Sequence, residues 1–170
     1  SNDHITVPAD AAYPAGDFSV SMWCNRAAGH TTFPNLMQTQ NYYNNSFNGN
    51  WSFFQQVALL RFAAYDGHTE LIDLQANLAD AVSAGFTSSQ WLGADSNGTW
   101  VHCAFVHDDS ANTITLYFNG VEVDSGTISG DLENGAAGGL YIGTDRSLSY
   151  WKGKFDDVRM YNVALSDGDM

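Results

Sequence analysis

Basic side chains are scarce in this sequence. Six lysines and arginines stand against nineteen aspartates and glutamates in 170 residues, a formal net charge of −13. Such a surface repels a phosphate backbone, so nucleic acid is excluded as a partner. The acidity has two readings of its own: solubility, as in salty surroundings, or convergence of some carboxylates on a divalent cation. Cysteine is nearly absent too. Cys24 and Cys103 are too few for a disulfide scaffold and lack metal-ligand spacing. Both stand inside apolar strand patterns and read as buried thiols, with one disulfide left open if their strands face each other. There is no run of about 18 apolar residues, so membrane insertion is not expected. No charged-then-apolar leader opens the chain, so any secretion signal is expected to lie outside it.

The common signatures of chemistry are missing as well. There is no GxSxG elbow, P-loop or GxGxxG, and His4, His30, His68, His102 and His107 show no HExxH-type zinc spacing. Glycoside hydrolysis with retention needs two carboxyls about 5 Å apart, which alternate strand residues can supply. The three glutamates, Glu70, Glu122 and Glu133, are isolated from one another. Glu122-Val123-Asp124 has the right alternation but follows a hairpin turn, and Glu70 and Asp73 fall on opposite faces. No catalytic residue is expected.

What is present is globular composition, 44% hydrophobic and 14% aromatic, arranged as many short apolar runs punctuated by Gly, Asn, Asp and Ser. HITV (4–7), DFSVSMWCNR (17–26), NLMQT, WSFFQQVALLRFAAYD, TELIDLQA, WVHCAFVHD (100–108), GLYIGT (139–144) and KFDDVRMY (154–161) read as strands. In the second of these Phe18, Val20, Met22 and Cys24 alternate against Ser19, Ser21 and Trp23. TITLYFNGVEVDSG (113–126) is a hairpin about Asn119-Gly120, the preferred type I′ dipeptide. Residues 76–90 are a weak helix candidate, and Ser166 before DGDM looks like a helix N-cap. About ten strands without alternating helices predict an all-β fold. The whole chain, 1–170, reads as one domain, a sandwich or jelly roll of two packed antiparallel sheets.

Three segments carry a family resemblance: SNDHITVPADAAYPAGDFSVSMWCNRA, TWVHCAFVHDDSANTITLYFNGVEVDSG with its LYxNG hairpin, and GGLYIGTDRSLSYWKGKFDDVRMYNVALS with its IG…DDVRxYNxALS close. Together they resemble the laminin-G-like jelly rolls of the concanavalin A-like lectin/glucanase superfamily. The resemblance implies two curved antiparallel sheets and a module of a longer protein, usually non-catalytic and extracellular, on a cell or virion surface. It also implies glycan or protein partners and, commonly, a bound calcium ion.

Period two along the closing strand sets Asp156, Val158 and Met160 on one face, and Phe155, Asp157, Arg159 and Tyr161 on the other. Asp156 is thereby aimed at the core, where an unpaired carboxylate needs a cation, several N–H donors or a metal. First and last strands lie together in the resembling family, so the resemblance implies that Asp3 meets Asp156 in a structural Ca²⁺ site. Asp157 and Arg159 form a surface pair.

Sugars stack their apolar faces on exposed rings while polar neighbours take the hydroxyls. NYYNNSFNGNW (41–51) offers Tyr42, Tyr43 and Trp51, and TDRSLSYWKG (144–153) offers Arg146, Tyr150 and Trp151. These six are the expected ligand-binding residues, with core covering as the alternative use of the rings. Trp23 and Trp100 lie within strands and read as core or sheet-face packing instead. The function expected is a non-catalytic, lectin-like adhesion module attaching a larger protein to a glycan or cell surface. The alternatives are a structural, decoration or receptor-recognition domain of a phage virion protein without a sugar site and, more remotely, a glycan-cleaving enzyme.

Overall fold

Alternation of apolar and polar residues builds two sheets whose inner faces share one core. The computed structural model describes residues 3–9, 16–27, 35–39, 50–56, 59–66, 69–87, 98–130, 132, 139–144 and 150–170. Its strands in chain order are β1 (Ile5–Val7), β2 (Phe18–Arg26), β3 (Asn35–Thr39), β4 (Asn50–Gln56), β5 (Leu59–Asp66), β6 (Thr69–Ala76), β7 (Trp100–Asp108), β8 (Thr113–Phe118), β9 (Val121–Thr127), β10 (Leu140–Ile142) and β11 (Gly153–Tyr161). A six-stranded sheet runs β1-β10-β3-β4-β5-β6 and a five-stranded sheet runs β11-β2-β7-β8-β9, with neighbours antiparallel throughout. This is the predicted all-β jelly-roll sandwich. The apolar run 51–66, read as one stretch, is a hairpin of β4 and β5 with Phe53 opposite Phe62.

Phe105 of β7 is the ring on which the two layers meet. Its centroid lies 5.6 Å from Phe18 in its own sheet and 5.1, 5.4 and 4.7 Å from Trp51, Phe53 and Phe62 of the other. Edge-to-face and tilted pairs at these separations are favourable beyond the area they bury. Trp51 was expected to stand exposed in a loop. It occupies the inner face of β4 with no solvent exposure, so the ring is a core element and not a stacking platform. Cys24 and Cys103 are free thiols in the same core, and burial pushes the Cys24 thiol up from its usual range.

The weak helix candidate is a short helix, α1 (Leu78–Ser83). Asn77 caps it by accepting from Ala79 and Asp80, and the Asp80 carboxylate accepts the Asn77 N–H in return. The β8–β9 turn has Asn119 and Gly120 at φ +48° and +79°, as type I′ requires. At the C-terminus the helical signal is one 3₁₀ turn, Asp167–Asp169, and the Ser166 hydroxyl donates to the Asp169 carboxylate.

The closing strand departs from strict period two. Asp156 pairs with Trp23 and Arg159 with Ser21, so three steps along β11 match two along β2. The extra residue is a β-bulge centred on Asp157, whose φ is +49°. Aspartate is among the few residues that visit this left-handed region without large cost. The bulge resets the alternation: Phe155, Val158 and Met160 pack on the core, while Asp156 and Arg159 are exposed. The expectation that Asp156 shares the face of Val158 and Met160 is therefore corrected.

The bulge predicts an asymmetric response at one position. Asp157→Val forces a β-branched residue into the left-handed region and is expected to cost about 1–3 kcal/mol in urea unfolding. Asp157→Gly keeps the geometry, loses only an exposed ion pair, and should stay within about 1 kcal/mol of the parent.

Candidate functional site

The outer face of the five-stranded sheet is divided in two. Along β2 the outward residues are Ser19, Ser21, Trp23 and Asn25, out of phase with the inward Phe18, Val20, Met22 and Cys24. The C-terminal segment lies over the first half. The Ser19 hydroxyl donates to the Val163 carbonyl at 2.8 Å and accepts the Leu165 N–H at 2.9 Å. Ala164 and Met170 pack on Ala104, Val106 and Tyr117. Tyr117 donates its hydroxyl to Asp167 at 2.6 Å, and burial together with that bond pushes its pKa up.

Among the described residues the second half is uncovered. Register places Asp156, Trp23 and His102 side by side across β11, β2 and β7, and Lys154, Asn25 and Trp100 in the next rank. Neighbours in such ranks stand about 5 Å apart, close enough to act on one ligand. Trp23 and Trp100 are each 40% exposed, a large apolar surface to leave in water on a sheet face. The Trp23 and His102 rings lie 5.4 Å apart. A cleft of about 260 Å³ beside them is lined by Trp23, His102, Asn119 and Met170. Asn119 fixes one wall, since its side-chain oxygen accepts the His102 N–H and its own N–H donates to the His102 carbonyl. Burial lowers the His102 pKa, with Asp157 opposing and Arg159 adding to that shift to a lesser degree.

The expected site residues are scattered about this frame. Tyr42, Tyr43 and Arg146 lie outside the described residues. Trp151 is 7% exposed and packs against Phe155 at 5.1 Å between centroids, so it too belongs to the core and not to an open loop. Tyr150 is half-buried, bridges to Thr144, and has its ring 6.1 Å from His4. Asp3 is exposed on a cleft of about 250 Å³ shared with His4, Ile5, Trp151, Gly153 and Phe155, at the open edges of the two sheets. The structure thus brings Asp3, Tyr150 and Trp151 to one end of the sandwich.

Asp156 is not buried, contrary to the premise of the calcium clamp. Its side chain is exposed on the outer face, opposite Trp23, where its carboxylate accepts the Asp157 N–H at 2.9 Å. It has no buried charge to neutralise, and among the described residues no three His, Cys, Asp or Glu side chains stand together as a metal cage. The Asp157–Arg159 surface pair is present at 2.7 Å. The alternating Glu122 and Asp124 hold local bonds: Glu122 accepts from the Ser125 hydroxyl, and Asp124 from the N–H groups of Gln75 and Ser125.

Trp23 and Trp100 are the residues that sequence reasoning passed over. The signal was present in the alternation, because a tryptophan in phase with serines faces away from the core.

A family model described as the concanavalin A-like lectin/glucanases superfamily, of laminin-G type, matches residues 1–169. The chain belongs to this superfamily. None of the curated proteins matches it in sequence. Among solved structures, a mutant of the NanB sialidase from Streptococcus pneumoniae aligns over 99% of this chain and 26% of its own, with 17% identity and a TM-score of 0.71. Domain 4 of AbnA, an extracellular arabinanase from Geobacillus stearothermophilus, was solved with arabinotriose; it aligns over 94% of this chain and 67% of its own at 21% identity, TM-score 0.65. The CBM40 module of a Ruminococcus gnavus IT-sialidase, bound to α2,3-sialyllactose, aligns over 98% and 93% at 10% identity, TM-score 0.63. The chain spans about a quarter of the NanB sialidase chain that it matches. Likeness at these identities carries the fold.

Two measurements test this arrangement. Asp156→Ala is expected to change stability by less than about 0.5 kcal/mol, as for an exposed residue with one local bond. A chelator-sensitive midpoint that the substitution abolishes would restore the clamp. His102 has a folded pKa below its unfolded value of about 6.5. Its contribution to stability is therefore complete above that pH and is lost as pH falls through the folded pKa. The melting midpoint of the parent should drop more steeply than that of His102→Gln between pH 7 and pH 5.

Proposed function

We propose that this chain is a non-catalytic, lectin-like module that holds a larger protein against a glycan or cell-surface ligand outside the cell. The observation that carries the reading is the pair of exposed tryptophans, Trp23 and Trp100, set among Asn25, His102, Lys154 and Asp156 on the uncovered half of a rigid sheet. Rings for the apolar face of a sugar and polar groups for its hydroxyls are the elements a carbohydrate site combines. Sites built on strands are also held more precisely than sites on loops. The names of the structural relatives support the same direction, since two of them are modules solved with arabinotriose and with sialyllactose. Glu122 and Asp124, the carboxylates with hydrolase-like alternation, are engaged with neighbouring hydroxyl and N–H groups. That arrangement favours binding over bond cleavage.

Isothermal titration against a panel of soluble polysaccharides tests the proposal. Loss of a stacking ring removes about 1.5–3 kcal/mol, so Trp23→Ala and Trp100→Ala should each weaken a detected ligand by about 10- to 100-fold. Binding to no member of the panel, or reducing-sugar release from any member, would refute it; binding that survives both substitutions would move the site off this face.

A further inference from the structure

The glycan-binding reading leaves the ligand's charge open, and the open face around Trp23 decides it; the inference below rests on that reading and narrows it. A carboxylated or sulfated sugar needs a cationic socket, best supplied by a free guanidinium. The face has none. Arg159 donates Nε to Asp157 at 2.7 Å and an Nη to the Tyr161 hydroxyl at 3.3 Å. Arg61 sits on the other sheet, tied to Asp73. Lys154 faces outward here, but Asp156 follows it two residues along the same row. His102 is held toward its neutral form by burial. An acidic sugar over Trp23 would therefore meet a face whose two cations, Lys154 and Arg159, are already matched by Asp156 and Asp157, on a chain of net charge −13.

An uncharged ring meets complementary groups on the same face. Its C–H face packs on the exposed indole of Trp23, Asp156 accepts from hydroxyls, and Lys154 donates to them. The adjoining cleft of about 260 Å³ lies below the roughly 300 Å³ at which pockets for drug-sized ligands begin, which suits one sugar ring. We propose that the outer face of β2, β7 and β11 around Trp23, Trp100 and His102 selects neutral glycans, seats one ring beside Trp23, and rejects acidic glycans.

Affinity electrophoresis of the whole chain separates the outcomes. The gels contain either galactan, arabinan, xylan, mannan or β-glucan, or the acidic polygalacturonate, hyaluronan or polysialic acid. The expected result is retention by at least one neutral polymer, at least about tenfold stronger than by any acidic one, and unchanged as salt screens surface charge. Trp23→Ala and Trp100→Ala should each release it. Stronger retention by an acidic polymer, or neutral retention that weakens with salt, overturns the selectivity while leaving glycan binding intact. Retention undiminished in both tryptophan variants places the site elsewhere and overturns the assignment of this face. Retention by no polymer overturns the glycan-binding reading itself.

Discussion

The sandwich hangs on contacts between its layers, and Phe105 makes the central ones. Each sheet has one apolar face, which is stable only when pressed against another. Phe105 reaches from β7 into the rings of Trp51, Phe53 and Phe62 on the opposite sheet. The inner face of each strand is committed to this cluster, so the outer faces are free to vary. The polar outer row of β2 and the two tryptophans beside it are possible because Phe18, Val20, Met22 and Cys24 already fill the interior. A rigid core is also what keeps Trp23 and Trp100 in fixed relative positions, so a ligand need not order them on binding.

A single residue decides what the closing strand shows to solvent. With strict alternation, GKFDDVRMY would send Asp156 inward and Phe155 out. The bulge at Asp157 exchanges them, putting an aromatic ring on Trp151 and a carboxylate in the rank of Trp23. A carboxylate that would have been a costly buried charge becomes a candidate hydrogen-bond acceptor for a ligand. A buried Asp156 would need a cation, and that premise is lost with the reset register.

Much of the fold was legible because strand periodicity and turn chemistry are local. Asn119-Gly120 announced its hairpin, and the alternation in β2 predicted which of its residues are buried. The bulge was not legible, since an Asp-Asp pair gives little local sign that one of its members takes a positive φ. Within the candidate site the difficulty was different. Aromatics in polar stretches drew attention to Trp51 and Trp151, yet both rings turn inward and are buried. Trp23 was readable from its phase against Ser19 and Ser21, but an isolated strand does not reveal whether its outer face is covered. Only the path of the C-terminal segment, whose Val163 and Leu165 bond the Ser19 hydroxyl, shows which half is covered.

The two thiols at the centre of the sandwich carry a practical meaning. Cys24 and Cys103 are both fully shielded, and the desolvated Cys24 resists forming the thiolate that an alkylating reagent attacks. Neither can react until β2 and β7 part from the facing sheet. The chain thus contains its own gauge for the opening of the sandwich, and the speed at which iodoacetamide consumes these sulfurs reads what share of the time the layers stand apart.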